Sequence, residues 1–228
     1  MPSRRGALRL LYSGAAGYLL GTLPSADVAA RLATGARADL RTEGSGNPGA
    51  ANAMAVLGSR WGYGVLGADI GKGAAACLLG RRLAGPDGSH LAGTAAVIGH
   101  CFPAWNGFRG GKGVATSVGQ CLVTFPAYFP LDLAVAGLAS TRRWRARSFA
   151  VTALASLAWC AGAVAWWRRG WPNAWGPTPS AALPCAAAAS SAVILYRFTT
   201  ARPPTAPSAT AQSPEARAST TSPCNQVR

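Results

Sequence analysis

The stretch FAVTALASLAWCAGAVAWW, from Phe149 to Trp167, holds nineteen residues without a charged side chain. A helix of about 20 mostly apolar residues is long enough to cross the hydrocarbon core of a bilayer. A second uncharged stretch, AALPCAAAASSAVILY, runs from Ala181 to Tyr196. Both stretches therefore predict membrane-spanning helices.

Earlier parts of the sequence repeat this apolar character. Between residues 10 and 140, four stretches of 15 to 27 residues carry at most three charges each. Charged residues make up 13% of the chain, about half their share in soluble domains, which disfavours a soluble, alanine-rich helical protein. The sequence thus predicts an all-α fold, a polytopic membrane helical bundle of about seven spans. We place these spans at about residues 10–30, 56–79, 90–105, 114–125, 127–141, 148–167 and 181–198.

Composition also divides the chain into a membrane domain and a tail. Residues 1–198 hold all the apolar stretches, whereas residues 199–228 are mostly Pro, Ser, Thr and Ala, which predicts a disordered tail. Arg4, Arg5 and Arg9 precede the first apolar stretch, as in a signal peptide. That stretch continues too far and lacks a small-residue cleavage site, so we interpret it as the first span. Prolines at 126 and 130 leave residues 114–141 as two short spans or a re-entrant hairpin.

The net charge of +15 suggests a nucleic-acid partner at first sight. The basic residues are scattered between the apolar stretches, however, and not gathered on one soluble face. Cytoplasmic loops of membrane proteins are rich in Lys and Arg, and anionic headgroups attract these residues. We therefore expect membrane lipids as partners and no nucleic acid. The group assigned to topology and headgroup attraction is Arg142, Arg143, Arg145 and Arg147.

Two glycine-rich segments lie between the apolar stretches, and the span order places both on one face. The first cassette, residues 41–52, reads RTEGSGNPGAAN. The second cassette, residues 99–116, contains GHCFP at its start and FRGGKGVAT at its end. Both combine backbone that can approach a ligand closely with small polar and cationic side chains. Such segments are typical of anion-binding sites.

Neither cassette fits a nucleotide-binding fold. Residues 44–49 match G-x-G-x-x-G, but no strand precedes them and Pro48 interrupts the loop. The Gly111-Lys112 pair is not a Walker A loop, because Asn106 occupies the first glycine position and Gly113 replaces the required Ser or Thr. The six cysteines lack paired or metal-ligand spacing, so we expect no metal and no cofactor.

A phosphate site can instead be built from a loop that leads into a helix. In the first cassette, backbone N–H groups at Gly44, Gly46 and Gly49 can point inward, and a helix starting near Ala50 adds its positive end. Side-chain hydrogen bonds to the phosphate are expected from Ser45, Asn47 and Asn52. A bidentate contact from the charged guanidinium is expected from Arg41. The second cassette offers His100, Arg109 and Lys112 beside Gly110, Gly111 and Gly113. The alternative is a pair of glycine loops that merely turn, but cations embedded in membrane proteins are usually functional.

The cassettes resemble those of the acyl-phosphate-dependent glycerol-3-phosphate acyltransferases of bacterial membranes, the PlsY-type family. The resemblance begins at Gly21-Thr22-Leu23-Pro24-Ser25 and passes through the first cassette. It continues through Asp69-Ile70-Gly71-Lys72-Gly73 and the second cassette, in the family's order and over about half the chain.

This resemblance implies a bundle of about seven spans in the bacterial inner membrane, with its site open to the cytoplasm. It implies transfer of an acyl group from acyl phosphate to glycerol 3-phosphate, giving lysophosphatidic acid, without coenzyme A or acyl carrier protein. Catalytic roles are expected for Ser45, Arg41, Lys112 and Ser148, the last placed by the family's serine-containing stretch alone. Positioning and charge stabilisation can supply most of the acceleration, since the donor is already activated.

The sequence departs from the family pattern at several positions. Ala51 stands where the family usually has Thr, and Val151 where it has a second Ser. The family's last span ends in Tyr-Arg followed by His and, later, Asn, whereas this chain continues from Tyr196-Arg197 into FTTAR. These losses leave two interpretations: an enzyme of reduced activity, or an impaired relative that binds phospholipid precursors or regulates an active copy. A transporter of organic phosphates is disfavoured because the cassettes lie at one face rather than at the bilayer midplane.

Overall fold

The structure, a computed structural model, describes residues 3–35, 37–140 and 147–200, and this part of the chain contains helices and no strand. The predicted all-α class is therefore confirmed. The eight α-helices are α1 (Arg4–Gly21), α2 (Ser25–Thr34), α3 (Ala50–Leu57), α4 (Ser59–Cys101), α5 (Val114–Thr124), α6 (Phe129–Ser140), α7 (Ser148–Arg169) and α8 (Ala182–Thr200). A short 3₁₀ turn, Ala104–Asn106, lies between α4 and α5.

The predicted first span, residues 10–30, is two helices and not one. Helix α1 ends at Gly21 and α2 begins at Ser25. Pro24 lies in the break, and proline cannot donate the backbone hydrogen bond that a continuous helix needs. The carbonyl oxygen of Leu23, just before Pro24, accepts hydrogen bonds from the backbone N–H of Ser25 at 3.0 Å and from the Lys72 Nζ at 3.1 Å. The break creates a polar backbone edge inside an apolar region.

Helix α4 contains a sharp turn that separates the second and third predicted spans. Ala84 and Gly85 have non-helical backbone angles, with φ of +66° at Gly85, and Pro86 follows. The two halves pack back against each other, since the Ser89 Oγ donates to the carbonyl of Cys77 at 3.0 Å. The halves therefore form a helical hairpin.

Glycines allow α1 to lie directly against the second half of α4. A Cβ added at Gly17 would overlap the backbone of Ala92, and one added at Gly21 would overlap the backbone of Ala96. From the other side, a Cβ at Gly99 would overlap the Tyr18 carbonyl. Small residues at such spacing let helix backbones approach closely, as in many membrane proteins. This contact fixes the end of α1 beside the end of α4, where the second cassette begins.

Helices α5, α7 and α8 enclose an apolar core. Phe125 is fully buried at the end of α5, its ring 5.3 Å from that of Tyr128 and 5.4 Å from that of Trp166. Leu183 and Trp159 complete this cluster from α8 and α7. Pro126 separates α5 from α6, so the stretch 114–141 is two short helices.

Two helices among the described residues, α7 and α8, are long and apolar enough to cross a membrane. Helix α1 carries Arg4, Arg5 and Arg9, and α5 has only 11 residues. The helices therefore do not establish the predicted count of about seven spans. Of the predicted tail, residues 201–228 lie outside the described part of the chain, as do Arg142, Arg143 and Arg145 of the basic group.

His90 differs from what its position in the sequence suggests. At the end of a predicted span we expect a solvated side chain, but His90 is only 3% exposed. His90 lies five residues after the turn at Gly85, inside α4, and is buried there. Its Nδ1 has no hydrogen-bond partner within the described residues.

Candidate active site

A small open cleft lies where the α1–α2 break meets the two cassettes. Its walls come from five separate parts of the chain: residues 21–27, Arg41 and Pro48 of the first cassette, Lys72 of α4, the end of α4 with the following turn, and Gly110 with Gly111. The cassettes are far apart in the sequence, and the helices bring both to one face. That arrangement agrees with the expected placement of the cassettes on the same side of the bundle.

Arg41 links the two cassettes and α2. Its Nη1 and Nη2 donate to the two carboxylate oxygens of Asp27, at 2.5 and 3.1 Å. Its Nε donates to the carbonyl of Arg109 at 3.1 Å. The amide of Asn106 also donates to Asp27, at 3.1 Å. Because this two-pronged geometry is the one that carboxylates and phosphates share, a phosphate could bind the Arg41 fork only by displacing Asp27.

The first cassette is closed around the side chain of Asn52, which is 3% exposed. The Asn52 Oδ1 accepts from the backbone N–H of Ser45 at 2.7 Å, and its Nδ2 donates to the carbonyls of Leu40 and Glu43 at 2.9 and 3.0 Å. Asn52 thus holds the loop in shape. Helix α3 begins at Ala50, which confirms the helix start expected there.

The expected ring of inward N–H groups is not formed in this conformation. The N–H of Ser45 is bound by Asn52, that of Gly46 donates to the Glu43 carbonyl, and that of Gly49 donates to the Asn47 carbonyl. Gly44 and Gly46 do adopt positive φ, at +60° and +67°. Anion contacts by the side chains of Ser45 and Asn47, neither of which lines the cleft, stay predictions.

The second cassette is folded back on the end of α4. The N–H groups of Gly110 and Gly111 donate to the carbonyls of Cys101 and His100, both at 3.1 Å. A Cβ added at Gly111 would overlap the imidazole of His100 and would lie 3.0 Å from the carbonyl oxygen of Pro48. Glycine is therefore required at 111 for the two cassettes to approach each other. His100, Gly110 and Gly111 all line the cleft, as their predicted binding roles require.

Lys112 lies on the other side of this glycine pair, facing α8. Its Nζ is 4.1 Å from the centre of the Phe198 ring. Burial and the nearby Arg197 guanidinium both lower the pKa of Lys112 below its ordinary value. Gly113 follows at φ +84°, directly before the first residue of α5, and the start of this helix has no side-chain cap. The ammonium group and the positive helix end together suit an anion.

Arg197, near the end of α8, fixes the carbonyl groups of the second cassette. Its Nη2 donates to Gly110 at 2.7 Å and its Nε to Gly111 at 3.3 Å. Its guanidinium also lies 5.3 Å from the centre of the Phe102 ring. The end of α8 therefore contacts the backbone of the second cassette through Arg197.

A buried ionic group supports the floor of the cleft. The Asp69 carboxylate, 1% exposed, lies 2.8 Å from the Lys72 Nζ and 3.6 Å from the His100 Nδ1. Ser25 donates to the same Asp69 oxygen at 2.5 Å. Asp69 and Lys72 are three residues apart, a spacing that predicts a pair across one helical turn, and this pair is confirmed. Because Lys72 also lines the cleft, this pair orients a cation toward the space between the cassettes.

The remaining predicted residues lie at the margin of the site. The side chain of Arg109 is exposed, and only its backbone carbonyl takes part in the Arg41 link. Ser148 is the first residue of α7. The ring of its neighbour Phe149 lies 6.3 Å from that of Phe198, so the start of α7 lies beside the end of α8. A catalytic role for Ser148 stays a prediction.

Sequence reasoning missed the site residues Ser25, Asp27, Asn106 and Arg197. Asp27 carried a usable signal, because it is the one charged side chain between Leu10 and Ala30. A lone carboxylate in an apolar stretch is costly and usually has a partner. Asn106 and Arg197 gave no comparable signal, since their roles depend on how separate segments meet.

Comparisons with known proteins agree with this architecture. The model of the glycerol-3-phosphate acyltransferase family matches residues 11–202. A glycerol-3-phosphate acyltransferase from Jannaschia sp. (strain CCS1) is 43% identical over 132 residues, 58% of this chain and 63% of that protein. One from Cereibacter sphaeroides (strain ATCC 17025 / ATH 2.4.3) is 38% identical over 164 residues, 71% of this chain and 73% of that protein. The chain thus spans less than two thirds of the Jannaschia protein.

A solved structure also has this fold. The crystal structure of PlsY (YgiH), an integral membrane glycerol 3-phosphate acyltransferase, in its glycerol 3-phosphate form matches with a TM-score of 0.66 and 28% identity. The match covers 83% of this chain and 88% of that one. By sequence and by fold, the chain belongs to the glycerol-3-phosphate acyltransferase family.

Proposed function

We propose that this protein transfers an acyl group from acyl phosphate to glycerol 3-phosphate, producing lysophosphatidic acid and phosphate. The observation that carries the proposal is the joining of the two cassettes, through Arg41 and the Arg109 carbonyl, around a cleft that Lys72 and His100 also line. Lys112 and the start of α5 lie directly beyond Gly111. Cationic groups on both sides of one short backbone segment suit a reaction with two phosphorylated substrates.

The chemistry asks little of the protein beyond positioning. The glycerol hydroxyl oxygen attacks the acyl carbonyl carbon, and the bond from that carbon to the phosphate oxygen breaks. Phosphate leaves with the electron pair, and a substrate phosphate accepts the hydroxyl proton. The charge that develops on the leaving phosphate would be stabilised by Lys112 and the N–H groups that open α5. No protein nucleophile is needed, because the acyl phosphate is already activated.

The membrane setting follows from the same proposal. An acyl phosphate is a lipid, whereas glycerol 3-phosphate is soluble, so the site must lie near the headgroup region. We place the protein in the bacterial inner membrane as a multi-pass protein, with the cassettes facing the cytoplasm. The apolar helices α7 and α8 support embedding in the bilayer.

The first prediction tests the donor. Protein purified in detergent should form lysophosphatidic acid from acyl phosphate and glycerol 3-phosphate, and should form none from acyl coenzyme A or acyl carrier protein. The reason is that Lys72 and Lys112 lie near the Gly110–Gly111 pair, where a compact phosphate group could bind. Product is measured by mass spectrometry after extraction. Equal turnover with acyl coenzyme A would contradict the donor assignment.

A second candidate function is an impaired relative that binds phospholipid precursors without turnover. It is favoured by one observation: Phe198, an apolar residue, faces Lys112 where α8 meets the second cassette. Titration calorimetry separates the two. Binding of glycerol 3-phosphate with no product from any donor would support the impaired relative, whereas measurable product supports the enzyme.

A further inference from the structure

The end of α8 makes two different contacts with the second cassette. Arg197 binds backbone carbonyl oxygens, as described above, and these bonds fix the path of the glycine pair. Phe198 contacts a charged side chain instead, because its ring lies 4.1 Å from the Lys112 Nζ. The end of α8 therefore contacts both the backbone of the second cassette and the Lys112 side chain.

Lys112 has its hydrogen-bond donors available. Within residues 3–35, 37–140 and 147–200, no acceptor binds its Nζ, and the Phe198 ring is the contact that the ammonium makes. A ring face attracts a cation without consuming its N–H donors. Lys72, the other lysine of the sequence, is held differently, by the Asp69 carboxylate and the Leu23 carbonyl.

Phe198 is itself held in place by its neighbours. It packs beside the cluster of Val97, Cys101 and Ile194. The ring of Phe149, from the start of α7, lies at 61° to it, in an edge-to-face arrangement. The ring that meets Lys112 is thus fixed by two further helices, α4 and α7.

We propose that Phe198 is a positioning residue, which holds the charged Lys112 side chain beside the start of α5 through its ring face and leaves the ammonium donors free for a substrate phosphate. The proposal rests on the proposed function for the identity of that phosphate. Positioning by a ring, and not by a carboxylate, keeps the net positive charge of Lys112 available to the ligand.

The proposal has a consequence for pH. Titratable groups around Lys112 include Arg197 on α8, His100 and Cys101 at the end of α4, and Arg109 in the same segment. Burial and Arg197 lower the pKa of Lys112, whereas an aromatic face favours the ammonium form. Replacing the ring with an aliphatic side chain should therefore lower that pKa further. The activity lost at high pH should then be lost at a lower pH than in the wild type.

The second prediction uses the presence of only two lysines. Reductive methylation with ¹³C-formaldehyde labels Lys72, Lys112 and the N-terminus of the full-length protein in detergent, and Lys112→Arg assigns the resonance. In the wild type, the Lys112 methyl resonance should be shifted upfield by the ring. Phe198→Leu should abolish that shift and lower the titration midpoint, whereas Phe198→Tyr should retain both. Tyr12→Leu is the control, because it removes an exposed aromatic ring on α1 that contacts neither Lys112 nor Phe198, and it should keep the shift.

Kinetics provide the second readout. Phe198→Leu should reduce kcat/KM for glycerol 3-phosphate by roughly threefold to tenfold, with Phe198→Tyr close to the wild type. An unchanged Lys112 resonance in folded Phe198→Leu protein would overturn the proposal. If instead the wild type shows the ring shift but forms no product, the proposed function fails and the positioning of Lys112 stands.

Discussion

Asp27 and Arg41 show how one residue pair can determine whether the cleft is occupied. The carboxylate takes the place on the Arg41 fork that a phosphate would need, and both side chains are about one quarter exposed. Arg41 is thus an internal bridge between α2 and the cassettes. Whether it also binds substrate depends on the exchange of one anion for another.

The third prediction tests this exchange. Arg41→Gln should reduce kcat/KM by an amount equivalent to about 1–3 kcal/mol, because it removes charge-assisted hydrogen bonds to Asp27 and the link to Arg109. Asp27→Asn should instead weaken the bridge while leaving the guanidinium charge, so the KM for a phosphorylated substrate should fall. Arg147→Gln, at an exposed position outside the cleft, is the control and should change the rate little. A higher KM in Asp27→Asn would mean that Arg41 acts only as a bridge.

The fourth prediction separates the shape of the first cassette from its chemistry. Asn52→Ala removes three hydrogen bonds from a buried side chain and should lower the free energy of unfolding by about 1–3 kcal/mol. Ser45→Ala leaves the backbone N–H that Asn52 binds, so it should keep the thermal midpoint. If Ser45 contacts substrate, its replacement should lower kcat/KM without loss of stability. Thermal unfolding in detergent and initial rates measure the two effects, and wild-type rates in folded Ser45→Ala would remove this residue from the site.

At the scale of the helices, the contact between α1 and α4 determines where the cleft lies. Backbone-to-backbone approach at Gly17 and Gly21 leads directly to the break at Pro24. At this break the Leu23 carbonyl accepts a hydrogen bond from Lys72, and just after it Asp27 pairs with Arg41. The positions of the Leu23 carbonyl and the Asp27 carboxylate therefore depend on the packing of α1 against α4, although neither group takes part in that packing.

The fifth prediction follows from this dependence. Gly21→Ala places a Cβ against the backbone of Ala96, so the helices must separate, at a cost of about 1–3 kcal/mol in stability and a loss of activity. Gly14→Ala is the matched control on the same helix, because its Cβ would meet only the Leu91 side chain at 3.6 Å. The control should be neutral or slightly stabilising, since alanine favours helices. Equal thermal midpoints for the two variants would show that the close approach is not required.

At the scale of the whole molecule, apolar stretches and glycine segments predicted the class of fold and the meeting of the cassettes. Apolarity could not locate the break near Pro24, because the residues on both sides are equally apolar. It also placed His90 at the end of a span, since the sequence does not reveal that α4 turns at Gly85 and packs on itself. Asn106 and Arg197 were missed because their partners are backbone carbonyls or a distant carboxylate. Contacts of that kind become visible only when the helices are assembled.

The contacts of Arg197 and Phe198 with the second cassette also determine when the site is completed during synthesis. A ribosome delivers the cassettes to the membrane before α8, because Lys112 precedes Thr200, the end of that helix, by 88 positions. Until α8 leaves the exit tunnel and inserts, the carbonyl groups of Gly110 and Gly111 lack the Arg197 side chain that donates to them. Lys112 likewise lacks its contact with the Phe198 ring. A nascent chain therefore holds all of its cassette residues without a finished site. The site is complete only when α8 has docked.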